Sequence, residues 1–396
     1  MLSSIAFICI KKTIFSPFST LFHYLFLMKK KILFLGLPKL FLDDSMLWPK
    51  RFLPVLISLL IGLIGAIIFS YLRTPLPWLL GAIVAIAIAS RFEALPLRSP
   101  KMFSAPARAV LGITIGSAFH PDILKYLGDF ISSLVLILPF VIVVTFCGML
   151  YYWKWLKFDK MTAYFSAMPG GLLEMVMLAE SMGANVYKVT LTQSSRLLFI
   201  VFTLPFIIQA LSHVSLDGRA SITQPFLNSD PHDMIILTFC ALLGWWGALK
   251  LKIPGGTMIG PMFLGALIYG SGLVYSRPPN EVIKVIQLIL GTTVGFVFVG
   301  VTLKEIVKVL AQTLGYFFVL LLVSSLFIAI VSWMTEFPLL SIMLAFSPGG
   351  QSEMNVIAII VGANLPYVAL HHIVRMLLVM SVAPMFVKVL HKKEGR

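Results

Sequence analysis

Acidic residues are scarce in this chain: 16 Asp and Glu stand against 31 Lys and Arg in 396 residues, and charged residues of both signs make up only 12%. With 59% hydrophobic residues and a mean hydropathy of +0.97, such a chain cannot keep its apolar side chains inside a water-soluble fold. Cysteine is nearly absent. Cys9, Cys147 and Cys240 sit alone inside apolar stretches with no Cys-x-x-Cys spacing, which indicates neither a disulfide framework nor a zinc site. The seven histidines form no ligand cluster, and the adjacent pair His371 and His372 projects in different directions on a helix. No metal and no cofactor is therefore expected. No spacing of Ser and His makes a nucleophile and base, so an enzyme is not expected either. The net charge of +15 lies in short clusters between apolar segments rather than on one polar face, which favours anionic lipid headgroups over nucleic acid as partner.

What is present is a series of apolar runs of roughly 17–25 residues, the length that crosses a bilayer core as helix. Helix is the default because every backbone N–H and C=O must be paired within lipid, and no segment alternates with the period of two of a barrel strand. The apolar segments fall near 53–72, 76–90, 106–119, 130–152, 161–181 and 189–212, then near 234–249, 254–273, 285–300, 313–334, 341–360 and 367–389. Residues 1–50 are a basic, apolar extension whose clusters (Lys11-Lys12, Lys29-Lys30-Lys31, Lys50-Arg51) interrupt each run, and Met28 and Met46 are alternative starts. A polar linker, 214–233, divides a first membrane unit (51–213) from a second (234–390), and 391–396 is a basic tail.

The two units repeat one another. Pro169-Gly170-Gly171-Leu172-Leu173-Glu174-Met175 returns 179 residues later as Pro348-Gly349-Gly350-Gln351-Ser352-Glu353-Met354. The same offset relates Pro75 to Pro254, Gly112-x-Thr114-x-Gly116 to Gly291-x-Thr293-x-Gly295, Gly183-Ala184-Asn185 to Gly362-Ala363-Asn364, and Arg196 to Arg375. A duplicated helical membrane unit is the signature of secondary transporters, whose site lies where two repeats meet near the bilayer midplane. If each unit crosses five times and its Pro-Gly-Gly segment re-enters, the copies are inverted and both termini are cytoplasmic. Sixteen basic residues then face the cytoplasm and five face out, against fourteen and seven for parallel copies. The expected fold is all-α membrane: two tandem inverted repeats, about ten transmembrane helices and two broken or re-entrant Pro-Gly-Gly segments.

Only three acids, Glu174, Glu180 and Glu353, lie inside apolar segments, and Glu174 and Glu353 are repeat mates. A charged side chain at such depth costs roughly 2.5–3.5 kcal/mol on insertion scales, so each needs a partner, a cavity or a proton. Arg196 and Arg375, each in the apolar helix that follows its glutamate, are the natural cations; the Glu–Arg pairs read either as coupling groups or as structural pairs. Pro169-Gly170-Gly171 and Pro348-Gly349-Gly350 should break the helix, freeing N–H groups that hold an anion at the positive end of the next helix. Asn185 and Asn364, following glycine, read as helix terminators first and substrate contacts second. Thr114 and Thr293, between packing glycines, are further hydroxyl candidates. Polar groups confined to one copy (Gln351, Ser352, His371 and His372; Gln193, Ser194 and Ser195) would make the contacts asymmetric.

The paired Pro-Gly-Gly-x-x-Glu-Met and Gly-Ala-Asn strings resemble those of the AbrB family of bacterial inner-membrane proteins with a tandem duplication, over about residues 55–390. This family is distinct from the small DNA-binding regulator of the same name. A weaker likeness extends to cation:proton antiporters and bile-acid-symporter-like carriers, which use inverted five-helix repeats. The resemblance implies a multi-pass protein of the bacterial inner membrane, and its members are labelled as transporters, ammonia monooxygenases or regulators of gene expression. The monooxygenase label lacks the copper or iron ligands it needs here. The expectation is a secondary active transporter of a small organic anion or amino acid, coupled to protons or sodium through Glu174 and Glu353 and admitting a homodimer. A membrane protein that affects gene regulation without transport is the alternative.

Overall fold

A computed structural model describes residues 48–92, 94–119, 127–212 and 230–394 of the protein. The extension up to residue 47, Lys125, most of the polar linker (213–229) and the last two residues of the tail lie outside the described residues. Among the described residues the structure is helical, without strands.

In chain order the helices are α1 (Trp48–Tyr71), α2 (Pro77–Ala89), α3 (Lys101–Gly116), α4 (Leu127–Val135), α5 (Ile137–Leu150) with a π turn at Tyr151–Trp155, α6 (Lys160–Ala167), α7 (Leu172–Ser181) and α8 (Val186–Ser212). After the linker come α9 (Pro231–Lys250), α10 (Gly256–Gly270), α11 (Asn280–Gly295), α12 (Leu303–Met334), α13 (Leu339–Phe346), α14 (Gln351–Val361) and α15 (Leu365–Glu394). The starts of α2, α3, α6, α7 and α8 recur 179 residues on as those of α10, α11, α13, α14 and α15.

Local chemistry sets several of these bounds. Pro77 opens α2, where its missing N–H is no loss. Asp159 caps α6 by accepting from the Thr162 N–H at 2.9 Å, and Thr302 with Glu305 forms a capping box at the start of α12.

Among the described residues six helical stretches are long and apolar enough to cross a bilayer: Phe52–Tyr71, Phe130–Trp155, Val186–Leu211, Pro231–Lys250, Leu303–Met334 and Leu365–Ala383. The other four of the expected ten, α2, α3, α10 and α11, have 13 to 16 residues. At 1.5 Å per residue they reach only about 20–24 Å, short of a core about 30 Å thick. These four pack together, α3 on α10 and α2 on α11.

Glycine makes that packing possible. A methyl at Gly112 of α3 would strike the carbonyl oxygen of Met258 on α10, and one at Gly291 of α11 would strike that of Leu79 on α2. Gly116 meets Met262 O, and Gly295 meets Ile83 O, in the same way. Each contact is its counterpart with the two halves exchanged. Because the obstacle is backbone and cannot swing aside, Gly112→Ala and Gly291→Ala should each lower stability by about 1–3 kcal/mol, as overpacking does. Thermal unfolding in detergent measures this, and the double variant should be worse than either alone.

Buried apolar residues form two large clusters. One joins α2, α3, α10, α11 and α14, whereas the other joins α4, α5, α6 and α7, and α8, α12, α13 and α15 contribute to both. The two Pro-Gly-Gly segments therefore share a sequence but not their surroundings.

Candidate functional site

Proline stops α6 and α13 where expected. At Pro169 the missing N–H and the clash with the preceding turn end the helix; Met168 (φ −65°, ψ 127°) and Gly171 (φ −68°, ψ 144°) are extended, and between them the Gly170 N–H donates back to Met168 O at 2.9 Å before α7 begins. The second break has the same form, with Ser347 at φ −71°, ψ 128° and Gly350 at φ −71°, ψ 143°. The glycines of these breaks are not left-handed, so space explains them rather than φ. A β-carbon on Gly171 or Gly350 would collide with the carboxylate of Glu174 or Glu353, which curls back over it, and one on Gly170 or Gly349 would collide with Met175 or Met354. The Pro-Gly-Gly-x-x-Glu-Met string is thus one folded unit, the glutamate lying over the second glycine and the methionine over the first.

The arginines do not pair with the glutamates. Among the described residues Arg196, 1% exposed, donates from Nη1 to Met168 O (2.9 Å) and from Nη2 to Gly170 O (3.1 Å). Arg375, 5% exposed, donates from Nη1 to Ser347 O (2.6 Å) and from Nη2 to Gly349 O (2.7 Å). These are the repeat-matched carbonyls. The expected Glu–Arg pairs are therefore replaced by guanidinium forks on backbone oxygens that the helix break removes from the helical hydrogen-bond pattern; of the four, Met168 O also accepts from the Gly170 N–H at 2.9 Å.

One turn earlier on the same helices, Gln193 and His372 perform a matched task. Gln193 Nε2 donates to Phe165 O (2.6 Å) and Met168 O (3.0 Å); His372 Nε2 donates to Leu344 O (3.0 Å), and its Nδ1 accepts from Arg375 Nη2 at 2.8 Å. His371 is also occupied, by Tyr367 O and Ser133 Oγ. The histidines hold structure together, and among the described residues no group of three His, Cys, Asp or Glu is placed to bind a metal.

The two breaks differ in what surrounds them. The first is braced from the other half: Tyr316 of α12 donates its hydroxyl to Ala167 O, whereas its repeat mate is Ile137. The second adjoins a cavity of about 90 Å³ between α8, the middle of α12 and α13, bounded by Ser347, Pro348, Ile200, Thr203, Phe317 and Ser324, among others. Its Gly350 lies close to Leu197 of the first half, next to Arg196 in sequence, with 3.5 Å from the position of a β-carbon to Leu197 Cδ2. Glu353 is buried at 7% exposure and receives a weak hydrogen bond from Ser352 Oγ at 3.4 Å, whereas Glu174 is only partly buried.

Several buried polar atoms near the breaks have no protein partner: Gln351 Nε2, Arg196 Nε, the Ser194 and Ser195 hydroxyls, Ser324 Oγ at the cavity, and both amide atoms of Asn355. Asn355 is fully buried and replaces Val176 of the first half. Its polarity at an otherwise apolar repeat position is the sequence signal for it.

Four of the expected site residues act elsewhere. Asn185 Oδ1 accepts from Lys188 N (3.0 Å) and Asn364 Oδ1 from Tyr367 N (3.1 Å), so each asparagine caps the start of the next helix rather than ending the previous one. Gly183 (φ 75°) and Gly362 (φ 70°) end the preceding helices. Thr114 and Thr293 donate to Val110 O and Ile289 O of their own helices. Asn185→Ala and Asn364→Ala should therefore cost about 1 kcal/mol each, the worth of an N-cap, without weakening a bound ligand. Unfolding curves with and without that ligand separate the two effects.

An all-α membrane protein with two interrupted helices, each held by a buried arginine, is the class that fold and site define. The family described as "Transition state regulatory protein AbrB" matches residues 78–391, and the chain belongs to that family. It is 28% identical over 359 residues to "Uncharacterized protein YhjN" of Bacillus subtilis (strain 168), covering 84% of this chain and 91% of that protein. It is 24% identical over 334 residues to a protein of Escherichia coli (strain K12) whose name proposes a regulator, AbrB, covering 82% of this chain and 92% of the other.

Proposed function

We propose that the protein is a secondary carrier for a small organic anion or amino acid, with its site at the two helix breaks and its halves inverted in a bacterial inner membrane, both termini cytoplasmic. The observation that carries this reading is a pair of interrupted helices in a membrane protein, each break followed by a glutamate and held by a buried arginine from the next helix, one of them beside a cavity. Interrupted helices expose backbone groups where an ion or solute can use them, and irregular backbone at membrane depth is tolerated only inside protein or around a cavity. The positive ends of α7 and α14 favour a negative group, and Glu353, buried against Ser352, is the group that exchanges a coupling ion with the ligand. Gln351, Ser352 and Asn355 give the second break its own ligand contacts.

The regulatory name of the Escherichia coli relative favours a second reading, in which the protein influences gene expression. A carrier does so indirectly by changing the concentration of its solute. The purified protein, screened against carboxylates and amino acids over a range of pH, should gain stability from its true ligand by mass action, about 2.7 kcal/mol at one hundred times Kd. The carrier reading fails if no small acid raises the unfolding temperature saturably.

A further inference from the structure

We propose that Arg196 and Arg375 are tethered cations, which fill the two cation sites that the broken helices create and so make the site selective for anions and independent of sodium. This deepens the carrier reading and rests on it for its meaning in transport, although occupancy of the carbonyl sites can be tested without transport.

A broken membrane helix strands carbonyls at the C-terminal end of its first half, where the dipole is negative. In carriers built this way, such oxygens are what a coupling metal cation uses. Here all four positions are taken by guanidinium: Met168 and Gly170 O by Arg196, Ser347 and Gly349 O by Arg375, at 2.6–3.1 Å. In both halves the arginine follows its two carbonyls by 28 and 26 residues, so the chain itself returns the charge to the break. The planar fork meets the two carbonyls with one N–H each in a fixed geometry, whereas an ammonium or a metal ion reaches them as a point charge without that preset geometry.

Neither arginine has a carboxylate partner among the described residues, so backbone dipoles balance its charge, as they would a metal ion's. A sodium ion brought within 4 Å of the guanidinium would be disfavoured by roughly three orders of magnitude at an effective dielectric of about 20. The sodium site is therefore closed by a built-in cation. The unpartnered, buried Arg196 Nε and Gln351 Nε2 leave N–H donors for an anion.

Chemical rescue tests this. Arg375→Ala and Arg196→Ala are purified in detergent, and thermal unfolding is followed in millimolar sodium, guanidinium, methylguanidinium or choline chloride. Wild-type protein should unfold at the same temperature in sodium as in choline. Each alanine variant should unfold at a lower temperature and recover with guanidinium or methylguanidinium but not choline, with sodium giving at most a smaller recovery. Stabilisation of the wild type by sodium over choline, or alanine variants indifferent to guanidinium, would overturn the proposal. If the alanine variants do not accumulate, Arg375→Lys decides: its single ammonium cannot fork, so intermediate stability is expected and wild-type stability refutes the fork. Guanidinium rescue in a protein that binds no anion would sink the carrier reading and leave the tether intact; anion binding that requires sodium would do the reverse.

Discussion

Arg375→Ala is expected to destabilise the folded protein by about 3 kcal/mol, and Arg196→Ala by about 1–2 kcal/mol. Hydrogen bonds from a charged donor are worth about 1.5–3 kcal/mol each, and a stranded buried acceptor costs its full desolvation. Removing Arg375 strands both Ser347 O and Gly349 O, and also leaves His372 Nδ1 without its donor. Removing Arg196 strands only Gly170 O, because Gln193 still donates to Met168 O at 3.0 Å. Both losses are reduced by relief of the buried charge, which is why the net figures fall below the sum of the bonds. Reversible unfolding of the detergent-solubilised variants gives the ranking. Equal losses would mean that the arginines act through something other than these carbonyls.

Gly350→Ala is expected to reduce transport at least tenfold while leaving stability within about 1 kcal/mol of wild type. The added methyl takes the place of the Glu353 carboxylate, which is the flexible end of a side chain and can swing away; the fold survives, but the carboxylate is displaced. The contrast with Gly112→Ala is instructive, since there the obstacle is a backbone carbonyl that cannot move. Gly171→Ala displaces Glu174 in the same manner, but Glu174 is only partly buried and its break is braced by Tyr316, so its effect on transport should be smaller. Transport rates compared with unfolding temperatures for the two variants check this directly.

The breaks themselves were legible in the sequence because proline is joined there to two glycines: Pro205 and Pro261, without that pair after them, sit inside the continuous α8 and α10, whereas Pro169 and Pro348, each followed by Gly-Gly, mark helix breaks. The glutamates likewise announced themselves as rare acids at membrane depth. What the arginines touch was not legible. A search for opposite charges pairs Arg196 with Glu174, but the strongest unmet need at a helix break belongs to backbone oxygens, which every sequence carries and none displays. The glycines were read through their freedom of φ, whereas the structure uses the empty space where a β-carbon would be. In Gly-Ala-Asn the glycine ends one helix and the asparagine starts the next, two jobs within three residues that spacing alone does not separate. The bounds of the short helices α2, α3, α10 and α11, 13 to 16 residues each, were not legible, because hydropathy reports apolarity and not where hydrogen bonding stops. Asn355 escaped notice since it lies outside the duplicated motif, and comparison with Val176 would have found it.

Uptake into proteoliposomes of the acid that stabilises the purified protein, with wild type, Gly350→Ala and Glu353→Gln side by side, tests the central claim most directly. Saturable wild-type uptake in choline medium, lost in both variants although they remain folded, is the predicted result. Undiminished uptake in both variants, or no uptake by any protein that binds the acid, would contradict it.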